Sequence, residues 1–309
     1  MHEVVSLGSV NVDHVGYLAD DAIAALEARY DWLPEPGETV AVSSVPKALR
    51  DRLTEVSLGG KGANQAVAAA HAGADTAFLG CVGDDDAQYE VTRGVKAHGV
   101  DVSAVERVAG PTGSAYIVVD EAGENRIAIL AGANAAVDRS YVAERYDTIV
   151  DAGCLLLQNE IPAEPVCWLL DRLAVEPNAP TVVVDPAPAE GAEPLVEHEA
   201  VDIVSPNSRE YAQLGASLSG FEGTLVVTHG ANLVRVSDGE SFEVAPPAVD
   251  PVDTTGAGDV FTGYLAATLA TGGDLHEAVE RAATAAALST EHEGVQPAVP
   301  DAETVDARR

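Results

Sequence analysis

An α/β fold is what this sequence predicts: a doubly wound, mainly parallel sheet with helices on both faces and a small β-strand lid. Three observations carry that expectation. Short apolar runs alternate with helical patterns along most of the chain, and such alternation implies a mainly parallel sheet covered on both sides. Polar residues fit for chemistry fall just after the apolar runs, where sheets of this kind bind their ligands. Two segments, 16–57 and 113–130, interrupt the pattern with strand-like pieces of their own. At 309 residues and 47% apolar content the chain can bury one large core, so a single domain over 1–309 is expected.

The elements follow in order. Buried strands are expected at Val4–Leu7, 76–82, 148–158, Thr181–Asp185, 202–205 and 225–228, each a compact apolar run. Helices are expected at 63–72, 87–97, 165–175, 208–214, 259–270 and 275–290. The lid segments hold Tyr116-Ile117-Val118-Val119 and Arg126-Ile127-Ala128-Ile129, and the residues between them, Asp120 to Asn125 with Gly123, have the composition of a hairpin turn. No repeat, low-complexity tract or Pro/Ser-rich linker is present.

Charge narrows the partners. Fifty acidic against seventeen basic residues give a formal net charge of −33. The acids are scattered rather than gathered in a tail, which argues against disorder. Only Lys47, Lys61 and Lys96 are lysines; the other basic residues are arginine. A densely acidic, lysine-poor surface around an ordinary core suits the cytoplasm of a high-salt organism. It excludes nucleic acid and an anionic membrane as partners. Cys81, Cys154 and Cys167 are odd in number and widely spaced, as in a reducing compartment. His71, His98 and His229 lack metal-ligand spacing. The amino terminus runs straight into a strand without the basic and apolar regions of a signal peptide, and no run reaches the roughly 18 apolar residues of a membrane span.

Two motifs carry chemistry. Asp253-Thr254-Thr255-Gly256-Ala257-Gly258-Asp259 opens into Val260, Phe261, Tyr264, Leu265 and Leu269 at helical spacing. Its small residues therefore lie at a helix N-terminus, where free N–H groups and the helix dipole favour an anion. Asp259, in the first turn, is placed to take a proton from an attacking hydroxyl. The plainer alternative is a capped helix with a glycine-rich turn. The second motif, Gly59-Gly60-Lys61-Gly62-Ala63-Asn64-Gln65-Ala66, lacks Walker A spacing, which disfavours a phosphate-loop NTPase. Its glycines bring backbone close to a ligand, and Asn64 offers a donor and an acceptor to a polyol.

These two runs occur in one order with Gly8-Ser9-Val10-Asn11-Val12-Asp13, Gly80-Cys81-Val82-Gly83-Asp84-Asp85, Gly132-Ala133-Asn134-Ala135, Asp185-Pro186-Ala187-Pro188 and Pro206-Asn207-Ser208-Arg209-Glu210. Together they resemble the PfkB family of carbohydrate kinases, and within it the ribokinase branch, over nearly the whole chain. The resemblance implies that Asp259 is the catalytic base and that the backbone of residues 255–258, with Gly256, Ala257 and Gly258, is an anion hole for the transferring phosphoryl group. It implies Mg²⁺ oriented through water by Asn207 and Glu210, and nucleotide phosphates at Thr228, Gly230 and Thr255. The sugar would be held by Asn11, Asp13, Gly59, Gly60, Lys61, Asn64 and Glu160. A monovalent cation, K⁺, would lie by Asp253, Thr255 and Gly294, although Ala298 stands where the branch commonly has a serine.

Several of these residues have a second reading. Asn207 and Glu210 also fit an Asn/Glu capping box, and Asp185 fits a strand-end turn. Between Asn11 and Gly59 the chain is lengthened by two insertions, and the second brings Lys47, Arg50 and Arg52 into the lid. They are either a solvated helix face pairing with Asp51 and Glu55 or a receiver for a phosphate already on the substrate. Segment 214–224 is short for the helix expected there, which bears on the nucleotide base pocket. The resemblance thus implies a cytoplasmic, Mg²⁺-dependent kinase transferring the ATP γ-phosphate to a primary hydroxyl of ribose or a close pentose, homodimeric through its lid. Ribose 1-phosphate or a nucleoside is the alternative acceptor. A non-catalytic sugar- or nucleotide-binding protein is the alternative of another class.

Overall fold

The computed structural model describes residues 1–36 and 38–309. An eight-stranded sheet forms the core, in the order Glu240–Val244, Val234–Asp238, Thr224–Val227, Ile203–Val204, Thr181–Asp185, Cys154–Gln158, Val4–Leu7, Thr76–Leu79. All pairings from Thr224–Val227 onward are parallel, and the hairpin at the other edge is antiparallel. From Val4–Leu7 the chain crosses to Thr76–Leu79 on one side, then returns to Cys154–Gln158 on the other. The sheet is therefore doubly wound, and its switch point lies between Val4–Leu7 and Cys154–Gln158.

Both faces of this sheet are covered. Val4, Leu156, Val183 and Val226 pack with Val67, Tyr264 and Ala282 of one helical layer, while Val5, Leu7, Leu157 and Val184 pack with Tyr141, Leu169 and Leu195 of the other. A strand buried on both faces has no polar alternate positions, which is why these strands read as continuous apolar runs.

The lid is a second sheet of five strands, in the order Thr39–Ala41, Asn125–Leu130, Gly113–Val119, Asn11–Tyr17, Glu55–Gly59. It begins at Asn11, so Asn11 and Asp13 are themselves lid residues. The insertions supply the helices Asp20–Glu27 and Lys47–Arg50. Their Ile23, Leu26 and Leu49, with Leu53, bury Tyr116, Val118 and Ala128 in a small core of the lid's own. The expected turn is present: Asp120 Oδ1 accepts from the N–H groups of Ala122 and Glu124 at 3.0 and 2.9 Å.

Three expected elements change form. The 148–158 strand is confined to Cys154–Gln158, because Tyr146–Val150 closes as a helical turn; a short apolar run fits either state. The 76–82 strand divides, with Cys81–Val82 leaving the core sheet to pair with Glu106–Arg107. The 87–97 helix breaks at Glu90, whose φ of 55° separates Asp86–Tyr89 from Val91–Ala97. Among the described residues no helix is long and apolar enough to cross a membrane.

Candidate active site

Loops from either side of the switch point meet there. Ser9 Oγ, just past Val4–Leu7, donates to Glu160 Oε2, just past Cys154–Gln158. The same oxygen accepts from Lys61 N at 3.2 Å. Glu160 thus sits against the N-terminus of the helix Lys61–His71, where the helix dipole favours a carboxylate. Asn11, which pairs with Gly59 across the lid sheet, accepts from Asn134 Nδ2 at 2.8 Å, and Asn134 Oδ1 accepts from Val10 N at 3.0 Å. Asp13 lies two residues along the same lid face. Its Oδ1 is buried without a partner. Burial first, then the charges of Glu160 and Asp259, pushes its carboxyl up to about 7.

Asp259 faces this group from the helix Ala257–Ala270. The turn before it needs glycine at 256: φ is 75°, and an added Cβ would overlap the Val295 side chain. No side chain caps this helix, so its first N–H groups have no intrahelical acceptor. Asp259 is 5% exposed. Its Oδ2 accepts from Asn64 Nδ2 at 2.9 Å and its Oδ1 from Gln65 Nε2 at 3.2 Å. The Lys61 ammonium stands 3.8 Å from Asp259 Oδ1 and 3.6 Å from Asp185 Oδ2. Gln296 Nε2 braces Asn64 Oδ1 at 3.1 Å.

Burial works against the Lys61 charge, but Asp185, Asp259, Glu160 and Glu210 outweigh it and raise the lysine's pKa. Burial also raises Asp185, with Lys61 opposing. One shift favours a charged ammonium and the other a neutral acid. Both hold because one cation is shared among several carboxylates in a poorly solvated space. Such a cleft favours the arrival of a further cation.

The expected nucleotide-side residues lie at the ends of the next strands. Asn207 and Glu210 form a complete capping box: Asn207 Oδ1 accepts from Glu210 N at 2.9 Å, and Glu210 Oε2 accepts from Asn207 N at 2.8 Å. Asn207 forms an isolated parallel bridge with Thr228, whose N–H donates to Pro206 O at 3.0 Å. Gly230 follows with φ 59°. Asp253 Oδ1 accepts from Thr255 N at 2.9 Å and its Oδ2 from Gly294 N at 3.0 Å, which brings the three residues expected around a monovalent cation together. An ion pair of 4.0 Å between Glu38 and Arg209 links the lid to the helix Ser208–Gln213.

Of the two readings of Lys47, Arg50 and Arg52, the structure favours the solvated helix face over a phosphate receiver. By strand alternation Asp13 points to one lid face and His14 and Gly16 to the other. The buried Leu49 and Leu53 pack on that second face, Leu53 directly over Gly16. Lys47 pairs with Asp51 at 2.7 Å, so the solvated-helix reading fits this lysine. A depression of about 590 Å³ lined by Thr181, Ile203 and Thr224 lies at the amino ends of core strands, the end away from Asp185 and Thr228. It contains none of the residues above.

Gln65 and Gln158, both fully buried, have no assigned role in the sequence reading. Gln65 bonds both Asp185 and Asp259, and Gln158 bonds Gln65. The available signal is spacing: Gln65 is four residues after Lys61 on a helix, hence on the same face.

Comparison with known proteins bears on the family and the fold. A model of the pfkB family carbohydrate kinases matches residues 42–302. A ribokinase of Schizosaccharomyces pombe is 34% identical over 99% of this chain and 97% of its own. An ATP-dependent ribose-1-phosphate kinase of Halopiger xanaduensis is 32% identical over 99% of this chain and 98% of its own. The structure of Arabidopsis thaliana ribokinase complexed with ribose and ATP superposes with a TM-score of 0.78 at 27% identity, covering 99% and 98% of the two chains.

Proposed function

Since this chain belongs to the pfkB family of carbohydrate kinases, we propose that it transfers the γ-phosphate of ATP to a primary hydroxyl of ribose or a closely similar pentose. The observation that carries this reading is the buried Asp259 carboxylate at an uncapped, glycine-entered helix N-terminus, facing Asn64, Lys61 and Asp13. The sugar enters between the lid residues Asn11, Asp13 and Gly59 and the residues Gly60, Lys61, Asn64 and Glu160 on the core side, whose carboxylates and amides suit a polyol's hydroxyls. Asp259 takes the proton of the attacking hydroxyl as its oxygen bonds the γ-phosphorus and the bond to the β–γ bridging oxygen breaks. N–H groups of residues 256–258 stabilise the charge that develops on the phosphoryl oxygens, the Thr255 N–H being taken up by Asp253. ATP approaches from the side of Asn207, Thr228 and Gly230.

Mg²⁺ fits this site. The capping box uses Glu210 Oε2 and leaves its second oxygen outside the box, and hard oxygens suit Mg²⁺ through bound water. When bound, Mg²⁺ would neutralise phosphate charge beside an otherwise acidic cleft. Asp253, Thr255 and Gly294 would hold K⁺, with Ala298 offering no side-chain oxygen. The exposed edge strand Glu55–Gly59 supports a homodimer through the lid, because its backbone groups are open to pairing. The net charge of −33 supports a high-salt cytoplasm.

Ribose 1-phosphate is the second acceptor to weigh, favoured by the likeness to a ribose-1-phosphate kinase, although Arg50 and Arg52 do not stand on the Asp13 side of the lid sheet. A coupled kinase assay in molar KCl across ribose, deoxyribose, ribose 1-phosphate, fructose and nucleosides tests the reading. We expect ribose to give the highest kcat/KM. No turnover of any pentose would refute the reading, and a clear preference for ribose 1-phosphate would replace the acceptor.

A further inference from the structure

Gln65 is fully buried and follows Lys61 by one turn of the helix Lys61–His71, so the two side chains share a face. Both bridge the same pair of acids. The Gln65 amide nitrogen donates to Asp185 Oδ2 at 2.8 Å and to Asp259 Oδ1 at 3.2 Å, and the Lys61 ammonium stands 3.6 and 3.8 Å from those same two oxygens. The amide can point only one way. Asp259, as the proposed base, must accept and not donate, so the NH₂ group faces it, and the second N–H reaches Asp185 Oδ2. Its Oε1 then faces inward and accepts from Gln158 Nε2 at 2.6 Å. Gln158 is the last residue of Cys154–Gln158 and is itself fully buried. An ordered amide relay thus runs from the core sheet to the candidate base.

We propose that Gln65 is a positioning residue for phosphoryl transfer: its amide holds Asp259 and Asp185 as two separately bonded carboxyls and fixes Asp259 in the orientation that receives the hydroxyl proton. This rests on the reading of Asp259 as the base. Two acids that converge on one donor can share a proton when that donor is lost, and a proton held there occupies the base. The charged groups around Asp259 are Lys61 on the same helix face as Gln65, Asp185 at its strand end, and Asp13 on the lid. Glu160 and Glu210 act on the same lysine from either side. Among the described residues only Gln65 and Lys61 bridge both acids, and Lys61 is also a sugar contact in the proposed reading.

The test is the pH profile of kcat for Gln65→Met, which keeps the volume and removes the donor, measured beside wild type and Asp259→Asn. We expect kcat near neutral pH to fall about tenfold, as for loss of a hydrogen bond to a charged group. The acid limb should move up by about one pH unit and the rate recover at alkaline pH, with the sugar KM changed by less than about twofold. Gln158→Met, which removes the donor that braces Gln65 Oε1, should move the limb the same way by less. It decides the matter if Gln65→Met does not fold. An unmoved limb, or a loss of kcat equal at every pH together with a lower melting temperature, overturns the proposal. If Asp259→Asn retains the full rate, the base reading fails and this proposal fails with it. If Asp259→Asn is inactive and Gln65→Met behaves as wild type, only the role of Gln65 is lost.

Discussion

Asp13 makes the sharpest single-residue prediction. Its carboxyl is raised to about 7, so the folded chain binds this proton more tightly than the unfolded chain, in which the group titrates near its ordinary 3.8. The folded state therefore loses stability as pH rises through that window, because the charge must be borne in a buried place. Sugar hydroxyls donate to a carboxylate, so the apparent affinity for sugar should rise over the same upper part of the range. Asp13→Asn should weaken sugar binding, flatten its pH dependence, and raise the melting temperature at alkaline pH relative to wild type. A sugar KM in wild type that does not change through neutral pH would remove Asp13 from the sugar site. Asp13 and Glu160 were legible in the sequence because acids directly after apolar runs have few structural explanations, and Asp259 because it opens an apolar helix behind a run of small residues. Gln65 was not, because a buried amide leaves no periodic or charge signature and is recognisable only from its partners.

At the level of elements, the site depends on how closely the helix Ala257–Ala270 approaches Lys61–His71. An added Cβ on Gly263 would lie 2.5 Å from Ala68 Cβ and from Gln65 O, so these helices touch through glycine. Asp259 is one turn before Gly263, which is how it reaches Asn64 and Gln65. Gly263→Ala should cost about 1–3 kcal/mol by overpacking and lower kcat with it, read by thermal melting and steady-state rates. Gly258 is the contrast: a Cβ there has nothing within 4 Å. Gly258→Ala should leave melting nearly unchanged and still reduce phosphoryl transfer, because the Cβ occupies space meant for a phosphate. Equal effects of the two substitutions on stability would show that Gly258 is there for folding instead. The helix at 257 was legible from its apolar spacing. The breaks at Glu90 and Tyr146 were not, because one residue with φ of 55° and one short turn leave the local composition unaltered.

For the whole molecule, the doubly wound sheet and its lid follow from the hydrophobic patterning, yet the direction in which the insertions face does not. Helices Asp20–Glu27 and Lys47–Arg50 turn their apolar residues onto the lid face opposite Asp13, a choice made by Tyr116, Val118 and Ala128 across two distant strands. With a net charge of −33, like-charge repulsion opposes compaction at low ionic strength and is screened within about 10 Å at 0.1 M salt. The melting temperature should therefore climb steadily as KCl is raised toward molar concentration, and a flat or falling curve would contradict a high-salt adaptation. The account as a whole stands on one carboxylate acting at one helix N-terminus. Its most direct test is turnover of ribose and ATP by wild type and by Asp259→Asn. The account predicts a kcat reduced by at least about a hundredfold, the scale of a lost general base, with ATP and ribose still bound. A variant that phosphorylates ribose at the wild-type rate would contradict it.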